Sequence, residues 1–206
     1  MVSETVLSGI NTVSKAALSG PALHALSDEL LAKGVQQGHH DHLTILVQRY
    51  HAPLLRYLFR MGGGNRLPAE DLVQEMFLRL LAGIQHYRYP RPFRPWLYTI
   101  AHNLVRDHFK RADTRRTESL PDDEIDRRQT REMGPDTAVL TQETNQQMIA
   151  ALEQLPLHQK AAILLRYVED LSLQEISDIL HIPVGTVKSR ISLGLKQLRK
   201  NLEYDD

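Results

Sequence analysis

Apolar residues recur at intervals of three and four along nearly the whole of this 206-residue chain. That spacing puts them on one face of an α-helix, whereas a half-buried strand alternates apolar and polar residues. No segment of the chain shows a convincing alternation. The pattern therefore predicts an all-α protein. The clearest example is the stripe formed by Leu72, Val73, Met76, Phe77, Leu80, Leu81 and Ile84.

Breaks in the helical pattern divide the chain into two small helical domains. They cover residues 40–112 and 139–206, and each is expected to bury only a modest core. Between them, residues 113–138 are polar and contain two prolines and a glycine, which is typical of a flexible linker. Residues 1–39 are low in charge and rich in Ser, Gly and Ala, so we expect a mobile N-terminal extension. Within it, LSDELLAKGV (26–35) is a candidate short helix.

Proline and glycine predict where the helices of the first domain begin and end. Pro53 marks a kink or a break in the first long helix. The GGGN run (62–65) predicts a flexible loop, and Pro68 suits the first turn of the next helix. Three prolines between residues 90 and 95 break the chain before a helix predicted over 96–111.

Composition excludes several classes of protein. With no cysteine there is no disulfide framework, no thiolate zinc site and no thiol redox switch. No apolar run approaches the length that spans a bilayer. The first residues also lack the basic-then-apolar layout of a secretory signal. We therefore expect a cytoplasmic protein that does not insert into a membrane.

The formal net charge is zero, yet the charges are segregated along the chain. Residues 88–116 hold eight bases against two acids, whereas residues 117–153 hold nine acids against three bases. Residues 181–200 then hold five bases and no acid. This order suggests two anion-binding modules separated by a segment that avoids the anion. The alternative is a set of solvated helix faces, which explains most charge runs.

The C-terminal part contains a helix, a tight turn and a second helix. Ser172 and Glu175 have the spacing of a capping box, which predicts a helix that runs through Leu180. The His-Ile-Pro run at 181–183 interrupts it, and a second helix starts near Val184. This layout is typical of a helix-turn-helix DNA-binding domain. The apolar side of the second helix comprises Val184, Val187, Ile191, Leu195, Leu198 and Leu202.

The opposite face of that second helix offers short hydroxyls and long bases near its start, where a recognition helix contacts base edges. Lys196 lies further along and could neutralise a phosphate. The alternative is an ordinary helical hairpin with a basic outer face. The residues predicted to contact duplex DNA are Thr186, Lys188, Ser189, Arg190, Ser192 and Lys196.

A second basic segment, residues 87–94, interleaves arginines with aromatic rings. Such a mixture suits single-stranded nucleic acid, because rings stack on unpaired bases while guanidinium groups hold phosphates. The alternative for the three rings of this segment is burial in the core, and the sequence leaves that open. The candidate residues are Tyr87, Arg88, Tyr89, Arg91, Phe93 and Arg94.

In the helix predicted over 96–111, one face is apolar and another is polar. Trp96, Ile100, Leu104 and Val105 are expected to face the core, and plain core packing is the favoured interpretation of Trp96. The polar stripe recurs at intervals of four, three and four. It comprises Thr99, Asn103, Arg106 and Lys110.

Four segments in this order resemble one known family. They are AEDLVQEMFLRLL (69–81), PWLYTIAHNLVRDHFKR (95–111), LPLHQKAAILLRYVEDLSLQEISDIL (155–180) and PVGTVKSR (183–190). Together they resemble the extracytoplasmic-function (ECF) group of bacterial sigma factors, the two-domain initiation subunits of RNA polymerase. The resemblance covers residues 40–203.

The resemblance implies partners and residue roles. Asp71, Gln74 and Glu75 would dock on the clamp coiled coil of the largest subunit of core RNA polymerase. Asn103 would contact a base of the −10 promoter element, and the loop before its helix would hold a base flipped from the non-template strand. The second C-terminal helix would read the −35 element as duplex DNA. An anti-sigma factor becomes a candidate partner, while no cofactor, metal or catalytic residue is implied.

The chain departs from the family pattern in two places. After PVGTVKSR, the family usually has a further basic residue and alanine, whereas this chain has Ser192, Leu193 and Gly194. Leu193 could contact a thymine methyl group instead. Gly194 costs about 1 kcal/mol against alanine inside a helix. The loop before the Asn103 helix also carries three prolines.

Two other functions compete with this interpretation. A stand-alone helix-turn-helix regulator accounts for residues 139–206 but leaves the 69–81 helix and the aromatic-basic segment unexplained. An enzyme is not favoured, because His39, His40 and His42 have no matching carboxylates for a metal site. Likewise, Gly62–Gly64 lack the lysine and the strand of a phosphate loop.

Overall fold

A computed structural model describes residues 23–118 and 139–203 of the chain. Within these ranges the protein is helical and contains no strand, as the periodicity predicted. It also contains a 3-10 turn, Ile84–His86, and a π-helical turn, Leu164–Val168. The α-helices are α1 Asp28–Gln36, α2 His40–Met61, α3 Arg66–Gly83, α4 Phe93–Glu118, α5 Val139–Glu153, α6 Leu157–Ile163, α7 Leu173–Leu180 and α8 Val184–Glu203.

The short helix α1 packs against the first domain, so residues 28–36 do not form part of a mobile extension. Ser27 caps the helix by accepting a hydrogen bond from the Leu30 N–H. Leu31 and Ala32 are fully buried against α2. The expectation of mobility up to residue 39 is therefore wrong for this helix, because its apolar face belongs to the core. Residues 1–22 lie outside the described part of the chain.

Helix α2 continues through Pro53, so the break that the sequence left open does not occur. The helix ends at Met61, and Gly62 forms its C-cap. Gly63 and Gly64 both have positive φ, a backbone conformation that glycine adopts without strain. The GGGN run therefore forms the turn between α2 and α3.

The apolar stripe of α3 faces the core with one exception. Leu72, Val73, Met76, Leu80 and Ile84 are buried, and Phe77 is partly buried. Leu81 is 42% exposed and lies outside the core, contrary to the prediction. Pro68 lies in the first turn of the helix, as predicted.

Helix α4 is longer at both ends than the sequence suggested. It begins at Phe93 rather than at residue 96, because Pro95 fits into its first turn instead of ending the loop. It also continues to Glu118, so that its last six residues, 113–118, fall within the predicted linker. Leu97, Tyr98 and Ala101 are fully buried together with Leu104 and Val105, while the predicted core residues Trp96 and Ile100 are only partly buried.

The C-terminal domain is built on the contact between α6 and α8. Val187 and Ile191 of α8 are buried as predicted, whereas Leu195 is 37% exposed. Gly194 is buried in its place: a Cβ atom there would lie 2.6 Å from the Ile163 side chain. The absence of a side chain at Gly194 therefore lets α8 approach α6 closely.

The two domains share one hydrophobic core rather than burying two separate ones. A single cluster of buried apolar residues extends from α1 through the helices of both domains. Helix α4 of the first domain packs on α7 of the second. At the α2–α3 turn, a Cβ atom on Gly63 would lie 2.3 Å from Glu153 of α5.

We expect Gly194→Ala to lower stability although alanine favours a helix. The gain of about 1 kcal/mol in helix propensity is outweighed by overpacking against Ile163, which costs roughly 1–3 kcal/mol. Thermal unfolding should therefore show a lower Tm. Gly185→Ala is the matched control, because no atom lies within 4 Å of its added Cβ. An equal rise in Tm for both variants would contradict the packing explanation.

Candidate nucleic-acid interface

The outer face of α3 carries the polar residues that the sequence assigned to docking. Asp71, Gln74 and Glu75 are all exposed, on the side of the helix away from the buried Leu72 and Val73. Glu75 forms an ion pair with Arg79 at 2.9 Å, which leaves its carboxylate half-exposed. The three predicted docking residues therefore form one continuous acidic and polar surface.

In the loop between α3 and α4, two of the rings predicted to contact single-stranded nucleic acid are not on the surface. Tyr87 and Phe93 are buried, and they pack with Trp96 in a cluster whose ring centroids lie 5.4–5.7 Å apart. The Tyr87 hydroxyl donates a hydrogen bond to the Arg91 carbonyl. Burial raises the pKa of Tyr87 to about 12. These two rings close the core beneath the loop and cannot stack on a base.

The exposed side of the same loop keeps one aromatic ring and two cations. Tyr89 is 45% exposed, and Arg88 and Arg91 are exposed on either side of it. The loop thus presents Tyr89 as the ring that can stack on an unpaired base.

The polar stripe of α4 lies on one side of the helix as predicted. Arg106 and Lys110 are exposed, while Thr99 and Asn103 are partly buried. The Thr99 hydroxyl donates to the Pro95 carbonyl at 2.8 Å, one turn earlier in the helix. Its oxygen still has a lone pair that can accept a hydrogen bond. The stripe therefore offers hydrogen-bonding groups near the loop and cationic groups further along the helix.

Arg94 does not face solvent freely, because it contacts the second domain. Its guanidinium donates to the backbone carbonyl of Glu169 and lies 3.8 Å from the carboxylate of that residue. The Tyr98 hydroxyl donates to the same carboxylate, which is 2% exposed. Burial raises the pKa of Glu169, although the hydrogen bond from Tyr98 opposes this shift. In this conformation Arg94 joins the two domains, and Glu169 engages its guanidinium group.

The helix-turn-helix of the second domain has the predicted geometry. The Ser172 hydroxyl accepts from the Glu175 N–H at 3.2 Å, and the Glu175 carboxylate accepts from the Ser172 N–H at 2.8 Å. His181 ends α7 in the left-handed conformation. The Ser177 hydroxyl donates to the Ile182 carbonyl at 2.5 Å and so holds the turn. The capping box and the turn thus set the start of the recognition helix α8.

The outer face of α8 carries the predicted duplex-contacting residues. Lys188, Ser189, Ser192 and Lys196 are exposed, and Leu193 is 59% exposed beside them. The other two predicted contact residues, Thr186 and Arg190, are partly buried.

Arg190 and His181 lie close enough to the first domain to affect its histidine His102. The pKa of His102 is lowered to about 4, first by burial and then by the charges of Arg106, Arg190 and His181. The Nδ1 atom of His102 lies 3.5 Å from the Tyr57 hydroxyl. Helix α7 of the helix-turn-helix packs on α4, so the recognition helix that follows α7 lies beside the first domain, and we call this the closed arrangement.

The structure also shows contributors that sequence reasoning missed. Lys33 and Gln36 of α1 contact the loop that carries Tyr89. The sequence predicted a short helix over residues 26–35, but no sequence pattern indicated what it packs against. Nor did any pattern single out Glu169.

Neither a metal site nor a membrane-spanning helix is found among the described residues. Across residues 23–118 and 139–203, no three His, Asp or Glu side chains are grouped so that they could hold a metal ion. His42 instead packs against Gly34, where α1 and α2 approach each other closely. None of the described helices is long and apolar enough to cross a membrane.

The fold and its surfaces define a class: a two-domain helical DNA-binding protein with a helix-turn-helix in its second domain. The sequence models of Sigma-70 region 2 and Sigma-70 region 4 match residues 46–115 and 145–198. SigW of Bacillus subtilis, an ECF RNA polymerase sigma factor, is 34% identical over 183 residues, which cover 82% of this chain and 94% of SigW. The chain belongs to the ECF RNA polymerase sigma factors.

Other relatives agree with this assignment, and two solved structures share the fold. The ECF sigma-E factor of Escherichia coli (strain K12) is 32% identical over 173 residues, covering 81% of this chain and 89% of that protein. SigE of Mycolicibacterium smegmatis is 37% identical over 157 residues, covering 76% of this chain but 60% of SigE. The fold is also that of CnrH, solved with the cytosolic domain of CnrY, at a TM-score of 0.65 and 23% identity over 87% of this chain and 99% of CnrH. RpoE of Bartonella quintana, solved with the anti-sigma factor NepR, has the same fold at a TM-score of 0.63. The two chains are 20% identical, and the match covers 80% of this chain and 98% of RpoE.

The lowered pKa of His102 predicts a pH-dependent stability. An unfolded histidine titrates near pH 6.5, whereas His102 in the folded protein titrates near 4. The folded state therefore binds fewer protons between these values, and its stability falls as the pH drops from about 6.5 to about 4. The loss attributable to this residue is at most about 3 kcal/mol.

Urea unfolding of the parent and of His102→Gln at several pH values between 4.5 and 7.5 measures this effect. The difference in unfolding free energy between the two proteins should change with pH, because every other titrating group is common to both. His51→Gln, which replaces an exposed histidine on α2, is the matched control. A parallel pH dependence for the parent and His102→Gln would rule out this role for His102.

Proposed function

We propose that this chain recruits core RNA polymerase to promoters by means of three separate surfaces. The outer face of α3 docks on polymerase, the first domain reads and opens the −10 element, and α8 reads the −35 element as duplex. The observation that carries this proposal is the presence of two different cationic reading surfaces on one chain, one on each domain. A protein that bound only a duplex operator would need just the cationic surface of the second domain.

Docking by α3 is supported by the exposure of its polar face. Asp71, Gln74 and Glu75 project from a helix whose other face is held rigidly in the core. A partner can therefore bind this face without disturbing the fold. The neighbouring Leu78, which is 63% exposed, adds an apolar contact to the same side of the helix.

Opening of the −10 element is assigned to the exposed loop residues and the α4 stripe. Tyr89 can stack on a base that has left the duplex, and Arg88 and Arg91 lie beside it for the phosphates. Asn103 can both donate to and accept from a base edge, which suits sequence reading. Arg106 follows one turn later and can hold the strand backbone.

Reading of the −35 element is assigned to the exposed face of α8. Lys188 and Ser192 lie in its first half, where a recognition helix enters the major groove. Lys196 follows for the phosphates. Leu193 occupies a position from which it can contact a thymine methyl group.

The closed arrangement is incompatible with reading both elements at once. Helix α4, which carries the polar stripe, packs on α7, which directly precedes the recognition helix α8, so the two reading surfaces are close neighbours. Promoter elements about two helical turns apart require readers separated by roughly 70 Å. We propose that binding to polymerase separates the domains, which distinguishes this protein from a stand-alone helix-turn-helix regulator.

In this role the chain is a specificity subunit and not an enzyme, because polymerase holds the active site. It acts in the cytoplasm, where polymerase and promoter DNA are found. Since proteins of the same fold have been solved with CnrY and with the anti-sigma factor NepR, an anti-sigma factor is a proposed regulatory partner here too.

Run-off transcription with purified bacterial core polymerase tests the proposal. Together with the chain, core should start transcription from a set of candidate promoters, and permanganate should detect unpaired thymines upstream of the start. Neither core nor the chain alone should do so. Tight and specific duplex binding by the isolated chain, with no opening by the holoenzyme, would favour the stand-alone regulator.

Charge reversal on α3 should weaken assembly with core polymerase. Asp71→Arg and Glu75→Arg each place a cation on the proposed docking face, and affinity for core should fall about tenfold or more. This affinity is measured by the fluorescence anisotropy of the labelled chain as core polymerase is titrated in. Asp41→Arg reverses an exposed acid on α2 and should leave the affinity unchanged. If all three variants bound equally well, the docking assignment would be wrong.

Asn103→Ala should impair promoter opening while leaving assembly intact. Loss of a base contact costs roughly 1–3 kcal/mol, which corresponds to about 5- to 150-fold in open-complex formation. Permanganate reactivity and affinity for core are measured on the same preparation. Gln48→Ala, at an exposed position on α2, serves as the control. An equal loss in both assays would show that Asn103 is structural.

A further inference from the structure

The loop that carries Tyr89 is held by a helix outside the predicted reading surface. The side-chain amide of Gln36, at the end of α1, donates to the carbonyls of Ile84 and Tyr87 at 2.8 Å each. Both protons of this amide are thereby used on the loop backbone. The separation in sequence, 48 and 51 residues, makes these tertiary contacts and not local turn bonds.

Two further hydrogen bonds join α1 to the same loop. The Gln85 side chain donates to the Gln36 carbonyl at 3.2 Å. At the far end of the loop, the Glu29 carboxylate accepts from the Phe93 N–H at 3.2 Å, at the start of α4. Helix α1 therefore holds both ends of the loop, so that its position determines where the exposed middle lies.

The helix that provides this support is itself firmly anchored. Asp28 forms an ion pair with Arg49 of α2 at 2.5 Å and accepts a hydrogen bond from the Tyr50 hydroxyl. Arg49 also donates to the carbonyls of His24 and Leu26 at 2.6 and 2.9 Å. Together with its buried apolar face, these contacts make α1 a rigid support for the loop.

A second residue of α1 contacts the exposed ring directly. The Lys33 ammonium lies 4.9 Å from the centroid of the Tyr89 ring, within the range of a cation–π interaction. Lys33 is exposed, and Tyr89 remains 45% exposed. A cation on one face of the ring leaves the other face for stacking. The ammonium can also reach a phosphate of a strand whose base stacks there.

We propose that α1 is part of the surface that reads the unpaired −10 strand. Gln36 is a positioning residue that sets the loop conformation. Lys33 supports Tyr89 from behind and contributes a positive charge to the single strand. This inference rests on the proposed function, since it assigns additional residues to the same site.

The test uses the complete holoenzyme and promoter DNA with 2-aminopurine placed across the −10 segment of the non-template strand. The fluorescence of this base increases when it leaves the stack, so its amplitude and rate report base capture. Affinity for core and affinity for a −35 duplex are measured in parallel. Neither should depend on the loop.

Gln36→Glu replaces the donating amide with a carboxylate of the same size, which would repel the two carbonyls. We expect base capture to fall about tenfold, the size of effect that loss of one stacked base produces. Gln37→Glu makes the same change at the next, exposed position and should behave like the parent. Gln36→Met, which is neutral, should also reduce capture, and this variant separates loss of the hydrogen bonds from charge repulsion.

Lys33→Met removes the charge of an exposed side chain, so the fold should be unaffected. We expect capture to fall roughly three- to tenfold, and Lys33→Arg should restore it because the cation over the ring is retained. In the Tyr89→Leu background, Lys33→Met should have a smaller effect, since the two residues act together.

The outcomes separate this inference from the proposed function. If the parent holoenzyme opens no promoter, the proposed function fails. The role of α1 is overturned if the parent opens promoters and the Lys33→Met and Gln36→Met variants both capture the base as efficiently as the parent. Equal losses in base capture, core affinity and −35 binding would show that α1 serves only the fold.

Discussion

Burial of one face of α4 is the constraint on which the rest of the structure depends. Leu97, Tyr98 and Ala101 of this helix are fully buried between α2, α3 and the second domain. The Tyr98 ring packs edge-on against Tyr57 at 5.6 Å. Because these residues fix the rotation of α4, its polar stripe has to point outward. The reading surface of the first domain is thus a consequence of its core.

The contact between the domains differs from the apolar packing of α4, because it includes a buried carboxyl group. Glu169 is almost fully buried, and one of its carboxylate oxygens has no hydrogen-bond partner among the described residues. Such a group costs about 1–3 kcal/mol, and more when ionised. Burial also raises the pKa of Glu169, which means that the closed arrangement disfavours its charge. An interface with this cost is suited to opening, as the proposed function requires.

The proposed base-reading site shows how a core and a surface are coupled. Tyr87 and Phe93 seal the core from beneath the loop, whereas Tyr89 between them remains outside. Buried and exposed rings can alternate along so short a segment only if its backbone is held in place. Helix α1 holds this backbone through the hydrogen bonds of Gln36. The buried rings and the exposed ring therefore have complementary roles in one loop.

Local signals in the sequence determined the helical class, the capping box at Ser172 and the outward stripe of α4, because periodicity and capping act over one or two turns. Only the tertiary structure decided that Tyr87 and Phe93 are buried, that Gly194 and not Leu195 faces α6, and that Lys33 and Gln36 support the Tyr89 loop. Each of these depends on the approach of segments distant in sequence. A pattern of neighbours along the chain carries no information about such contacts, since the same aromatic or basic residue suits a core, an interface or a DNA surface.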